Sequence, residues 1–343
     1  MSGEVTDPDL KGLGSWLEKH LPGFEGLAKA DKFNRGQSNP TYLLTASSGL
    51  YVLRRKPPGV LLKSAHAVDR EFRVQAALAE TDVPVSQMHV LCEDEDVIGS
   101  AFYVMDFVKG RNFDDPRLPG LGNTLRGAIY TEMNRVLAAI HSVDLEAQGL
   151  LDFGPSGNYF RRQIDRWTKQ YRASETGTIE AMDELIAWLD ENVPEDDGKR
   201  TLVHGDYRID NLLFSEDGAR CIAVLDWELS TLGHPYADLA ALVMQWQRPT
   251  GPEGRGLAGV DRAEFGIPED QAFIDDYCAR MGVSGIRNFG FYLAFAFFRM
   301  GAILQGVKKR ALDGNASNPE LGLRLGASVP EYAAGGLDAA KAV

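Results

Sequence analysis

Leu202-Val203-His204-Gly205-Asp206-Tyr207-Arg208-Ile209-Asp210-Asn211, followed by Val224-Leu225-Asp226-Trp227-Glu228, sets the reading of this 343-residue chain. His204-Gly205-Asp206 closes an apolar, strand-like run, so Asp206 is expected just beyond a strand end. Asn211 stands five residues further on, before Leu212-Leu213-Phe214 returns to strand texture. Asp226 closes a second apolar run, Ile222-Ala223-Val224-Leu225. Taken singly, these are ordinary turn and cap residues. Two strand-end carboxylates and an amide within about twenty residues form a set that phosphoryl transfer uses.

In that chemistry Asp206 would accept a proton from the attacking hydroxyl. Asn211 and Asp226 would supply hard oxygen ligands to Mg²⁺, with the substrate completing the shell. Arg208 would reach the transferring phosphate, although a solvated arginine paired with Asp210 is the plainer alternative. Neighbouring residues invite structural roles. His204 is expected to hydrogen-bond within its loop, His141 to end a helix, Trp227 to fill core and Asp238 to cap a helix. Glu228 would touch the metal or orient its neighbours. Arg299, set between Phe297-Phe298 and Met300, would face a polar partner or an anionic substrate. Trp246 and Phe291 are read as core, with an acceptor pocket as the alternative.

Around this stretch the chain has two textures. The first third reads as strands with one helix. Ala30 to Ala46 and Gly49 to Arg55 form strands about a polar link, Gly36-Gln37-Ser38-Asn39-Pro40. A helix follows from about Ala65 to Glu80, with Val68, Glu71, Phe72, Gln75 and Leu78 on one face. Two more strands are expected at 87–91 and 101–105, joined by an acidic hairpin. Beyond Gly110 the pattern turns helical: 124–141, with Leu125, Ile129, Met133, Val136 and Ile140 inward, then 164–171, 179–189, 238–247, 270–281 and 289–310. An Ala/Gly-rich tail from about Pro330 reads as loose. The expected organisation is 1–105 as a first lobe with a lead-in helix, 106–110 as a connector, and 111–343 as a mainly helical second lobe. Chemistry is expected in a nucleotide-binding cleft between the lobes.

Composition narrows the function classes. With 36 Lys and Arg against 49 Asp and Glu, the net charge is −13, which disfavours nucleic acid as a partner. A local basic pocket can still outweigh that field and hold a small anion. No run of eighteen apolar residues occurs, so no membrane span or membrane partner is expected. Three scattered cysteines, Cys92, Cys221 and Cys278, and no basic-then-apolar leader read as a cytoplasmic protein without a disulfide frame.

The order of these motifs resembles the aminoglycoside phosphotransferase and choline kinase superfamily, a branch of the protein-kinase-like fold. His204 to Asn211 resembles its catalytic loop and Asp226-Trp227-Glu228 its metal-binding segment. Gly36 to Tyr42 resembles a nucleotide-covering loop, Leu53 to Pro58 and Arg70-Glu71-Phe72 the strand cation and helix glutamate. Leu137 to Asp144 and Gly233 to Asp238 complete a match that runs in order along nearly the whole chain. The subgroup it most resembles occurs alone in bacteria and fused to acyl-CoA dehydrogenase modules elsewhere. No flavin domain is evident in 343 residues, so no dehydrogenase activity is expected of this chain.

The resemblance implies an α+β, protein-kinase-like two-lobe fold. The first lobe would hold an antiparallel sheet with one helix, and the second would be mainly helical. It also implies use of ATP, or another nucleoside triphosphate, with Mg²⁺. Where the family carries a strand lysine this chain differs. Strand alternation puts Val52 and Arg54 on one face, so Arg54 would contact the phosphates and Glu71 would orient it. A slip of one residue would promote Arg55, and Lys56 would fall in a loop. Ser38 and backbone N–H groups would cover the phosphates. Val52 would lie above the base, and Met105, Phe107 and Val108 beside it in the connector.

The function expected from this reading is O-phosphorylation of a small-molecule hydroxyl, such as a hydroxyacyl-CoA or related hydroxy acid, by a monomer or homodimer. The alternatives are an aminoglycoside-type kinase and a nucleotide-binding regulatory module without turnover. A protein kinase is disfavoured, because no Ala-Pro-Glu follows Asp226.

Overall fold

A computed structural model describes residues 10–33, 39–57, 67–251, 255–316 and 318–342. In chain order the elements begin α1 (Leu10–His20), β1 (Leu27–Lys32), β2 (Thr41–Ala46), β3 (Gly49–Arg55), α2 (Val68–Leu78), β4 (Met88–Cys92) and β5 (Phe102–Asp106). Three helices follow: α3 (Asn123–His141), α4 (Tyr159–Ser174) and α5 (Glu180–Glu191). Four short strands come next, β6 (Thr201–Val203), β7 (Leu212–Phe214), β8 (Cys221–Val224) and β9 (Thr231–Gly233). The remaining helices are α6 (Tyr236–Trp246), α7 (Arg262–Phe265), α8 (Asp270–Arg280), α9 (Phe289–Leu312), α10 (Pro319–Gly326) and α11 (Val329–Ala340). The fold class is α+β, as the residue periodicities indicate.

These elements gather into two compact units that do not divide at one connector. The first unit holds the described residues up to Phe113 together with Asp144–Leu150 and Ile209–Ser230. The second holds Asp114–Val143, Leu151–Arg208 and the described residues from Thr231 on. This division differs from a cut at 106–110, because 209–230 packs with the first unit. There the Val224 N–H donates to the Pro84 carbonyl at 2.8 Å, and Arg111 pairs with Phe214 through both backbone groups.

In the first unit the strands form one antiparallel sheet in the order β1-β2-β3-β5-β4. Period-two alternation gives it two faces. Tyr42, Leu44, Leu53, Phe102 and Val104 lie on one and pack with Leu13 and Leu17 of α1. Tyr103 lies on the other and packs with Val68 of α2, with Phe72 and Met105 against them. Arg54 is paired with Tyr103, and Val52 with Met105. The register therefore puts Arg54 on the α2 face. Arg55 goes to the opposite face, where it is buried and its Nε–H donates to Ser100 Oγ at 2.9 Å.

The second unit is built on α9, whose Phe291, Leu293, Phe295 and Phe297 are buried. Helices α4, α5, α6, α10 and α11 all pack on it. By length and composition α9 is apolar enough to cross a membrane, with a mean hydropathy of 1.4 in its best window, 61% of which is buried inside the protein. Arg299 interrupts what would otherwise be a longer apolar run.

Two expectations are corrected here. The tail from Pro330 is not loose: α11 covers most of it, with Val329 and Ala333 fully buried. Its small residues are what allow this, since a Cβ on Gly335 would stand 2.7 Å from the Phe297 ring and one on Gly336 2.5 Å from Leu185. Leu125 is only half-buried, whereas Ile129, Met133, Val136 and Ile140 are fully inward as expected.

Candidate active site

The first unit carries a charged chain of contacts that starts on β3. Arg54 Nε lies 2.9 Å from Glu71 Oε2, and Arg54 Nη2 lies 2.7 Å from Asp226 Oδ1 and 3.4 Å from Glu228 Oε2. One guanidinium thus joins a helix carboxylate to two carboxylates that follow β8, across 172 residues of sequence. A planar fork of fixed donors suits this bridging better than an ammonium would. Burial opposes the Arg54 charge, but Glu71, Tyr103 and Asp226 more than offset it and hold its pKa above the ordinary value.

Glu71 is 1% exposed and fully engaged. Its Oε1 accepts from Asn39 Nδ2 at 2.6 Å, and its Oε2 accepts from the Tyr103 hydroxyl at 3.1 Å. Burial pushes its pKa up to about 7, against the pull of Arg54. Asn39 and Tyr103 were not singled out by sequence. Tyr103 has a signal in hindsight: its cross-strand pairing with Arg54 follows once the β3–β5 register is known.

Asn211 and Asp226 meet at one end of the β7–β8 ladder. Leu212 pairs with Val224, and the Leu225 N–H donates to the Asn211 carbonyl at 2.8 Å. Asn112 Nδ2 donates to the Asp210 and Leu212 carbonyls at 2.8 and 3.0 Å, which fixes the turn from below. Asp226 adopts φ 63°, ψ 60°. That left-handed conformation is uncommon for a non-glycine residue and is tolerated best by Asp and Asn. It ends β8 abruptly and starts the 3₁₀ turn Trp227–Leu229. Trp227 is core, as expected, and its Nε1–H donates to the Val224 carbonyl at 3.0 Å.

The residues assigned to the base are differently disposed. Val52 is buried, and Met105, Phe107 and Val108 are half-buried. Val52 and Met105 share the Arg54 face of the sheet. The Phe107 N–H donates to the Leu50 carbonyl at 3.4 Å. Ser38 lies outside the described residues, as does the rest of the covering loop up to Asn39.

The second unit holds Asp206 and Arg208. After β6 the chain turns at Gly205, whose φ of 85° favours glycine. The Asp206 N–H donates to His204 Nδ1 at 3.2 Å, so His204 serves the loop as expected. Arg208 Nε–H donates to Asp206 Oδ2 at 3.1 Å. The Tyr207 hydroxyl donates to the Met133 carbonyl at 2.7 Å and anchors the loop from the core side.

Two further residues hold this loop, and one corrects an expectation. Asp238 makes no cap; Pro235 occupies the N-cap of α6. Instead the buried Asp238 carboxylate accepts the N–H groups of His204 at 2.6 Å and Gly205 at 2.9 Å. His141 Nε2 stands 3.4 Å from it, and His141 Nδ1 lies 2.6 Å from the Tyr277 hydroxyl. Burial works against the Asp238 charge, but His141, His204 and the Gly205 N–H overcome it and keep the carboxyl below its ordinary range. The sequence did carry a signal: an acid set directly before the apolar run Leu239-Ala240-Ala241-Leu242 is drawn into the core with it, and a buried carboxylate needs partners. Arg299 grips the same glycine from α9, with Nη2 donating to the Gly205 carbonyl at 3.0 Å. Trp246 and Phe291 are core residues, as expected.

Residues 29–273 match the model of APH, the phosphotransferase enzyme family. Acyl-CoA dehydrogenase family member 10 of Mus musculus is 49% identical over 308 residues, which covers 88% of this chain and 29% of that protein. The chain spans well under half the length of the curated relatives it matches. A crystal structure from Ralstonia eutropha, named as a candidate aminoglycoside phosphotransferase, is 48% identical, has a TM-score of 0.90 and covers 98% of this chain and 99% of its own. The fold is shared with a thermostable mutant of an aminoglycoside phosphotransferase in ternary complex with ADP and hygromycin B. Its TM-score is 0.63 at 17% identity, covering 95% of this chain and 98% of that one.

Proposed function

The chain belongs to the phosphotransferase enzyme family, and from that premise we propose that it is an ATP- and Mg²⁺-dependent O-phosphotransferase acting on the hydroxyl of a small hydroxyacyl-CoA or hydroxy acid. The observation that carries the reading is the Arg54 bridge between Glu71 and Asp226. A cation fixed by a buried helix carboxylate, and aimed at a carboxylate on a strand end, is a phosphate-binding device.

Asp206 is the base that takes the acceptor's proton, and Arg208, its ion-pair partner, offers charge to the transferring phosphate. Arg54 holds the nucleotide phosphates, with Glu71 orienting its fork. Val52 and Met105, on the same sheet face, and Phe107 and Val108 after β5, flank the base. Among the described residues no three His, Cys, Asp or Glu side chains converge as a metal site. The hard oxygens of Asn211 and Asp226 fit an ion whose remaining ligands come from phosphate and water. When bound, Mg²⁺ would neutralise phosphate charge. The adenine nucleotide is supported by the ADP complex of the fold neighbour.

The acyl acceptor is supported by the likeness to acyl-CoA dehydrogenase family members. Three buried free thiols accord with a cytoplasmic setting. The test is a ³¹P and mass-spectrometric screen with ATP, Mg²⁺ and hydroxyacyl-CoA, hydroxy acid and aminoglycoside panels. Phosphorylated hydroxyacyl product is expected. Phosphorylation confined to the aminoglycosides would replace the acceptor class, and nucleotide binding without any product would leave a regulatory module.

A further inference from the structure

Arg299 is the one residue of the loop clamp that brings a charge without a carboxylate to meet it. Its Nη2 spends one donor on the Gly205 carbonyl, next to Asp206. Its Nε is buried with no hydrogen-bond acceptor among the described residues. A buried guanidinium nitrogen left in this way costs free energy unless a ligand serves it.

A second cation stands close by. The Arg299 guanidinium lies 5.8 Å from the centre of the Trp167 indole, and that of Arg166 lies 5.4 Å from the same ring. Both distances fall within the range in which a cation is attracted to a ring. Arg166 is exposed and makes no ion pair among the described residues. Arg162, one turn earlier on α4, is already occupied by the carbonyls of Ser156, Gly157 and Pro155. The clustering shows in the field at the Tyr159 hydroxyl: burial holds its pKa above the ordinary value, Arg299, Arg162 and Arg166 pull it down, and Asp238 pushes it up. Three guanidiniums gathered in a chain of net charge −13 make a local positive site on an acidic protein.

We propose that Arg299 and Arg166, both beside the Trp167 indole, form an anion subsite for the phosphate acceptor. The acceptor carries a carboxylate or phosphate that these two forks hold beside the loop bearing Asp206. This rests on the phosphotransferase reading and sharpens it. A guanidinium takes carboxylate or phosphate through two parallel hydrogen bonds, and the half-buried indole offers a flat face to the apolar part of the same molecule. A polycationic acceptor would instead be repelled here. The site therefore selects by charge, and its Arg299 arm is fixed to the Gly205 turn that precedes Asp206.

The test uses the full chain with Mg²⁺ and AMP-PNP, titrated calorimetrically with 3-hydroxyoctanoate, its amide and its CoA thioester. The acid or the thioester is expected to bind at least ~10-fold more tightly than the amide, and the preferred one tells whether a carboxylate or the thioester's phosphates occupy the forks. Arg166→Gln and Arg299→Gln should each weaken that ligand about tenfold and leave the amide's affinity where it was. In turnover the change should fall on KM for the anionic acceptor more than on kcat. If loss of the Gly205 contact unfolds the Arg299 variant, the exposed Arg166 carries the test. Equal binding of amide and anion, unaltered affinity in the variants, or no binding of any of the three overturns the subsite. AMP-PNP affinity, read in the same samples, reports on the phosphotransferase reading separately: an anion preference that survives without nucleotide binding would count against that reading alone.

Discussion

Arg54 Nη2 sits 2.7 Å from Asp226 Oδ1 while its Nε sits 2.9 Å from Glu71 Oε2. Two nitrogens of one guanidinium thereby do what a single ammonium cannot, because an ammonium has no rigid span with which to hold both carboxylates at once. Arg54→Lys is expected to lower kcat/KM for ATP by roughly 10–100-fold, about 1.4–2.7 kcal/mol of transition-state stabilisation. Steady-state kinetics with ATP as the varied substrate check this. A lysine variant as active as the parent would show that the bridge has no part in nucleotide use.

Glu71 makes the same bridge sensitive to pH. Burial pushes its pKa up to about 7 from an ordinary 4.5. Between those values the folded state holds more protons than the unfolded chain, so this group's contribution to stability falls as pH rises through the window. The ion pair with Arg54, in contrast, needs the anion and strengthens as pH passes 7. Nucleotide affinity should therefore rise between about pH 6 and 8, and Glu71→Gln should be weak and flat across the range. Melting temperatures of parent and variant, compared over the same window, should converge towards its alkaline end if the sign is right.

Asp206→Asn should cut kcat by about 10²–10⁴-fold, the usual worth of a general base, with little change in nucleotide binding. A parent-like kcat on an identified acceptor would remove Asp206 from the mechanism.

Asp238→Asn tests how the loop is held. The substitution keeps the shape but removes the charge that two backbone N–H groups share, and it can turn an amide N–H towards a backbone N–H. A loss of roughly 1–3 kcal/mol in denaturant unfolding is expected, together with a lower kcat. Unchanged stability would mean the two N–H groups find other acceptors.

Gly110 tests the seat of the returning segment. A Cβ there would stand 2.5 Å from the Phe214 carbonyl oxygen and 2.8 Å from Leu213 and Ile222 side chains. Gly110→Ala should destabilise by about 1–3 kcal/mol, since backbone and branched side chains must give way together. A denaturant midpoint equal to the parent's would mean 209–230 can shift without cost.

Local pattern made much of this molecule legible. Alternation along Gly49–Arg55 already separates Arg54 from Arg55, because a strand turns successive side chains to opposite faces. The spacing from Asp206 to Asn211 and on to Asp226 pointed to the candidate ligands, because two strand-end acids and an amide that close together form a set that phosphoryl transfer uses. The Ala/Gly tail was misread for the converse reason. Small residues look like a lack of packing in a sequence, yet here Gly335 and Gly336 are what admit Phe297 and Leu185.

The sequence by itself determined the strand-rich and helical portions and pointed to Asp206, Asn211, Asp226 and Arg54 as candidates. Tertiary structure alone decided the partners: Asn39 on Glu71, Asp238 and Arg299 on the turn before Asp206, and 209–230 packed with the first unit. The reason is physical. Periodicity is set by neighbours a few residues apart, so a sequence displays it. A buried charge must find its partner wherever packing brings one, and Asp238 finds the His204 N–H 34 residues away.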